Sequence, residues 1–168
     1  VRPLIINQRG RVGDAESDFI LSGRDGTGIL LTAADRKLRV SFIEQVLVVT
    51  IVEVERACLR IKKRYPEWLT MSTDNDILWQ HHRRLEKLLG ITIYFCHPYH
   101  SWEKGTIENT NGEVRKDIPK GSDLSRYSKR CIQTLEDKLN RRIMECLNYG
   151  TPAEALAAVR KRKERRGA

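Results

Sequence analysis

Apolar and polar positions follow three different rhythms along the chain. From Glu16 to Val46 they cluster in short β-branched and aliphatic runs, which predict strands over Asp18-Phe19-Ile20-Leu21, Gly28-Ile29-Leu30-Leu31-Thr32 and Leu38-Arg39-Val40-Ser41-Phe42-Ile43. The links between them, Ser22-Gly23-Arg24-Asp25-Gly26 and Ala34-Asp35-Arg36-Lys37, are short and rich in turn formers or charge. Such links suit an antiparallel three-stranded meander with Asp18 on a central or edge strand.

Beyond Thr50 the period lengthens. Ile51, Val54, Cys58 and Ile61 recur at helical spacing behind Thr50 as N-cap, and this helix ends before Tyr65-Pro66. Trp68 to Thr73 reads as a short strand that runs into Asp74-Asn75-Asp76. Leu78 to Leu89 reads as a helix with an apolar Leu85, Leu88 and Leu89 face, closed by Gly90. Ile91 to Phe95 is a fifth strand, Cys96 to Gly105 a loop, and Thr106 to Lys116 a helix, so the order is βββαβαβα. A basic helix over Ser128 to Arg142 follows. Thr151-Pro152-Ala153-Glu154 then reads as an N-cap with Pro at the first helical position, and Arg160 to Arg166 as a solvated charge run. These boundaries give a lead segment 1–15, a core 16–120 and a helical extension with a basic tail 121–168.

Composition narrows the class. The 168 residues are 40% hydrophobic and 32% charged, enough for one buried core, and no apolar run approaches the roughly 20 residues that span a bilayer. The net charge of +9 favours a polyanionic partner, because each neutralised phosphate releases counterions. The absence of an initiating Met suggests a fragment or processed chain, and Val1-Arg2-Pro3 does not open a signal peptide. Cys58, Cys96, Cys131 and Cys146 form no C-x-x-C pair, which points to reduced intracellular thiols. Cys96, His97 and His100, with His81 and His82, match no usual zinc spacing.

Three acids carry the chemistry. Asp18 interrupts a strand otherwise built for burial, where an ionised carboxylate is costly unless it meets a cation or a donor. Asp74 ends an apolar strand, a position where ligands gather in mixed sheets. Glu108 sits early in a helix, from which its carboxylate can point back to the sheet. Acids on three separate elements suit hard divalent cations, which prefer oxygen ligands.

The chain resembles the integrase core, and more narrowly the insertion sequence thirty family of bacterial transposases. The resemblance is carried by Ser72-Thr73-Asp74-Asn75, by Tyr94 to Gly105, and by Glu108-Asn109-Thr110-Asn111-Gly112. It embraces a Pro-Tyr-x-x-Trp-x-x-Gly-x-x-Glu-Asn-x-Asn-Gly pattern, the 33 residues between Asp74 and Glu108, Pro119-Lys120-Gly121, Leu139-Asn140-Arg141-Arg142 and Tyr149 to Glu154. Nearly the whole chain is covered. Two departures stand out: Ala15-Glu16-Ser17-Asp18 replaces the family's Trp-Glu-Gly-Asp, and Asp76 replaces the Gly after Asp-Asn.

This resemblance implies a ribonuclease-H-like fold, a five-stranded mixed sheet flanked by helices. It implies a DDE triad of Asp18, Asp74 and Glu108 holding two Mg²⁺ or Mn²⁺ ions for in-line cleavage and strand transfer at transposon ends. Basic, aromatic and amide residues nearby, namely Tyr99, Trp102, Lys104, Asn109, Asn111, Arg115, Lys116 and Lys120, are expected to contact DNA. The expected setting is bacterial cytoplasm, at the nucleoid and away from membranes, with a homo-oligomer in the active complex. A decayed core that only binds DNA and a ribonuclease-H-type nuclease are the competing expectations.

Overall fold

The computed structural model describes residues 2–97 and 104–167, so Tyr99, His100 and Trp102 lie outside the described residues. The meander forms, with its third strand shifted from the expected Leu38 start to Ser41, because Arg36 to Val40 make the connection and Arg39 takes the left-handed conformation at φ 61°. Strands β1 (Asp14–Leu21), β2 (Ile29–Asp35) and β3 (Ser41–Val46) pair antiparallel, and β4 (Thr70–Thr73) and β5 (Thr92–Phe95) add in parallel, giving the order β3-β2-β1-β4-β5. Asp18 therefore lies on the central strand. β2 runs further than its turn-like composition suggests. Ala34 and Asp35 belong to it because the Asp35 carboxylate is fully buried, where it accepts hydrogen bonds from the N–H groups of Gly13, Lys37 and Leu38 and from the Tyr65 hydroxyl.

The sheet is covered on both faces, and side-chain alternation along β1 sorts its residues between them. Ala15 and Phe19 face a core shared with α2 (Ile51–Arg64) and α3 (His82–Leu89), in which Val54, Cys58, Ile61, Trp68, Leu85 and Leu89 are buried. Thr50 caps α2 through its side chain, as expected, and Gly90 closes α3 in the left-handed conformation. Ile20 faces the opposite core, beneath α4 (Gly105–Asp117) and α5 (Lys129–Asn140), with Val114, Ile118, Ile132 and Leu135.

The segment after residue 120 contributes directly to the sheet. Glu136 of α5 accepts from the Ile43 N–H of the edge strand at 2.6 Å, and Asn140 exchanges two hydrogen bonds with the Ser41 backbone. The two ends add short helix α1 (Leu4–Asn7) and long helix α6 (Pro152–Gly167). The charge run Arg160 to Arg166 is helical within α6, and Arg160 forks onto both Glu67 oxygens at 3.1 Å. At the mouth of β1, Gly13 has φ +100°, and a Cβ there would sit 2.1 Å from the Glu67 carbonyl oxygen. Only glycine fits that crossing.

Candidate active site

The parallel β1–β4 register pairs Asp14 with Thr70, Ala15 with Met71 and Glu16 with Ser72. Carried two residues further, it brings Asp18, within β1, level with Asp74, which directly follows the end of β4. The two carboxylates converge on one cation. Lys104 Nζ lies 2.6 Å from Asp74 Oδ2 and 3.5 Å from Asp18 Oδ1, on a lysine that is only 5% exposed. Burial works against the ammonium's charge, but the two carboxylates outweigh burial and raise its pKa.

Asp18 is also held by α4. Asn111 Nδ2 donates to Asp18 Oδ2 at 3.0 Å, while Asn111 Oδ1 accepts from Thr32 Oγ1 at 2.8 Å. The Phe19 N–H donates to the other Asp18 oxygen. One face of α4 is thus keyed to β1 and β2 around the first acid.

A residue that the pattern alone did not single out fixes α4 itself. Glu16, fully buried and two positions before Asp18 on the same strand face, accepts from the Ile107 N–H at 2.8 Å and pairs with Arg36 at 2.8 Å. Burial raises its pKa, opposed by the Ile107 N–H and by Arg36. The period-two alternation of a strand was the signal that could have found it. Its hydrogen bond ties the first turn of α4, which carries Glu108, to the strand that carries Asp18.

Glu108 is exposed on that first turn. Among the described residues, no three His, Cys, Asp or Glu side chains lie close enough together to hold a metal. Asp18 and Asp74 nonetheless already share one cation through hard oxygen donors, the donor type that Mg²⁺ and Mn²⁺ take. The donor chemistry of the pair fits a divalent ion, and Glu108 lies on the adjoining helix.

The remaining sequence candidates divide. Lys104 and Asn111 have their partners inside the site. Arg115 donates to the Leu21 and Pro119 carbonyls, and Lys116 pairs with Glu113, while Asn109 and Lys120 are exposed. The departures from the family pattern are accommodated locally. Ala15 is buried in the α2–α3 core, Ser17 donates to the Thr32 carbonyl, and the Asp76 carboxylate accepts from the Leu78 N–H, capping the turn Ile77–Trp79.

No family model matches the chain. It is 36% identical over 159 residues to the transposase for insertion sequence element IS4351 of Bacteroides fragilis, covering 94% of this chain and 48% of that protein. It is 31% identical over 161 residues to the transposase for insertion sequence element IS1086 of Cupriavidus metallidurans, covering 95% and 47%. It is 32% identical over 153 residues to transposase InsI for insertion sequence element IS30A of Escherichia coli, covering 90% and 39%. The chain spans about half the length, or less, of these relatives. Among solved structures, the catalytic core domain of BIV integrase superposes with a TM-score of 0.66 at 18% identity, covering 89% of this chain and 97% of that one. A chain of the simian T-cell lymphotropic virus intasome in complex with PP2A regulatory subunit B56 gamma gives 0.67 at 16% identity, covering 84% and 52%. At these identities the likeness is one of fold, and that fold is the ribonuclease-H-like one.

Proposed function

We propose that this relative of the insertion-sequence transposases, built on the fold of an integrase catalytic core, performs metal-dependent cleavage and strand transfer on DNA at the ends of a mobile element, with Asp18, Asp74 and Glu108 as its metal-holding acids. The observation that carries the reading is the convergence of Asp18, within β1, and Asp74, just past the end of the parallel neighbour β4, on a single cation. Uncompensated carboxylates this close repel each other, so the arrangement suits a place that handles positive charge.

When bound, Mg²⁺ or Mn²⁺ would activate the attacking hydroxyl and stabilise the leaving oxygen. The chain's own residues do the positioning. Asn111 and the Phe19 N–H fix the orientation of Asp18, and Glu16 anchors the turn bearing Glu108. Lys104 offsets one of the pair's two negative charges and competes with a divalent ion for the same oxygens. The net charge of +9 favours association with a polyanionic strand. Joining two element ends calls for more than one copy of the chain in the active complex, at the bacterial nucleoid.

The test is Mn²⁺- or Mg²⁺-dependent nicking and strand joining on labelled duplexes, with Asp74→Asn and Glu108→Gln beside the parent. Each variant is expected to lose about a hundredfold or more of the rate. Nicking that persists in Asp74→Asn, or that proceeds equally well in a metal chelator, would overturn the assignment. Faster cleavage of an RNA–DNA hybrid than of element-end DNA would move the chain to the nucleases that share this fold.

A further inference from the structure

On the side of α4 away from Asp18 lies a cavity of about 300 Å³ lined by Arg9, Arg39 and Arg142 together with Ser41, Thr106 and Asn109. Three distant parts of the chain deliver the guanidiniums: the end of α1, the β2–β3 turn and the turn after α5. Arg9 and Arg39 both occupy the left-handed region, at φ 55° and 61°, a conformation that costs of order 1 kcal/mol for a residue other than glycine. Arg39 is held in place by donating to Thr106 Oγ1 at 3.0 Å. No Asp or Glu is among the residues lining this cavity.

The charge around it is not internally balanced. Arg142 has Glu113 at 3.2 Å, but the Arg39 guanidinium, among the described residues, meets the neutral Thr106 hydroxyl and no carboxylate, and neighbouring Arg36 pairs with buried Glu16. Burial lowers the Arg36 pKa, Glu16 opposes that shift, and Arg2, Arg9 and Arg39 add a smaller lowering by repulsion. Holding like charges together in this way is unfavourable unless an anion joins them. The α4 amino terminus does not itself supply the anion site, because the Ile107 N–H is engaged by Glu16. The arginines would make the contact, and their planar forks match phosphate oxygens.

We infer that this cavity clamps one backbone phosphate of the DNA strand entering the Asp18, Asp74 and Glu108 site, an inference that rests on the DNA-processing reading above. Asn109 lines the cavity and directly follows Glu108. Cavity and site are therefore separated by about the width of one helix, roughly 10 Å. With an axial rise of about 3.4 Å per nucleotide, the clamped phosphate lies within about three nucleotides of the reacting one.

The experiment is duplex binding by the full chain, followed by fluorescence anisotropy between about 50 and 200 mM salt, a range in which phosphate contacts dominate. Arg39→Gln with Arg142→Gln is expected to lower the slope of log affinity against log salt by about 0.9, the value for one phosphate. Adding Arg9→Gln should lower it no further, since all three residues serve the same phosphate. Arg39→Lys should keep the slope, and Lys87→Gln on α3 serves as a distant control. Equal melting temperatures of parent and variants exclude misfolding, and if Arg39→Gln melts early, Arg142→Gln with Arg9→Gln carries the same test. An unchanged slope in the arginine variants overturns the clamp while leaving the DNA-processing reading intact. Inorganic phosphate that raises the melting temperature as much as duplex does would also overturn it, in favour of a free-anion site. Failure of the parent to bind duplex at low salt would sink clamp and reading together, whereas Asp74→Asn that binds normally and cannot nick tests the reading alone.

Discussion

At the residue scale, the site depends on side chains that hold the acids as much as on the acids themselves. Asn111 spans Asp18 and Thr32, so its amide fixes a carboxylate on one strand against a hydroxyl on the next. Asn111→Ala is expected to cost about 1 kcal/mol of stability, typical of a lost hydrogen bond, and to slow metal-dependent nicking about 10- to 100-fold, as loss of a ligand's outer partner does. Urea denaturation and single-turnover nicking would measure the two effects, and a folded variant that nicks at the parent's rate would speak against a positioning role. Lys104 makes the opposite prediction. Because its ammonium sits on both Asp18 and Asp74, Lys104→Met should melt lower than the parent without metal and gain more in melting temperature from added Mn²⁺. Equal Mn²⁺-induced shifts in the two proteins would show that the lysine and the ion do not compete. Asp76 illustrates how a departure from a family pattern is absorbed, since its carboxylate is engaged by the Leu78 N–H.

At the scale of elements, α4 and α6 differ in how they are attached. α4 is stitched to the sheet by buried polar contacts from Glu16, Asn111 and Thr106 and by Val114 and Ile118 beneath it. This is the rigid support that a helix bearing the proposed ligand Glu108 needs. α6 docks through Leu156, with Ala155 and Val159 packed alongside, and through the Arg160 fork on Glu67. Its outer turns remain solvent-exposed. Leu156→Ala should therefore cost about 2 kcal/mol, the low end for a buried leucine, because the site lies near the surface and can relax. Calorimetric melting is the check, and nicking at a temperature well below the transition should be unaffected. A loss of nicking in a variant that remains folded would mean that α6 communicates with the site.

For the whole molecule, buried carboxylates pull the pH profile of stability in two directions. Burial raises the Asp35 pKa above its ordinary 3.8, although the Leu38 N–H, the Tyr65 hydroxyl and other donors oppose the shift. Its contribution is thus complete below the ordinary value and fades as pH rises through the raised one. Glu67 runs the other way. Burial alone would push it up, but Arg160 outweighs burial and holds it below its ordinary 4.5, so its contribution is present above that value and lost as pH falls through the lowered one. Melting temperatures across the acid range should pass through a maximum in mildly acidic buffer. Arg160→Met should flatten the acid flank, and Asp35→Asn the opposite flank. A melting temperature that climbs steadily to neutrality, with Asp35→Asn parallel to the parent, would mean that Asp35 is ionised throughout.

The sequence by itself determined most of the elements and put forward the acids proposed for the site. Its period-two and period-3.6 runs placed five strands and the helices between them, because burial on one face imposes those spacings locally. Asp18 was legible because a carboxylate in an apolar strand calls for a partner, and Asp74 because it ends one. What needed the tertiary structure was every relation between segments distant along the chain. Asp35 looked like a turn residue until Gly13 and Tyr65, brought from elsewhere, surrounded it with donors. The charged tail looked solvated until Glu67 supplied Arg160 with a buried partner. Lys104 read as a strand-binding lysine, and only the β1–β4 register set two carboxylates around its ammonium. Local pattern encodes which face is buried, whereas the charge that a buried group meets there is decided by non-local chain crossings, whose partners no local period can name.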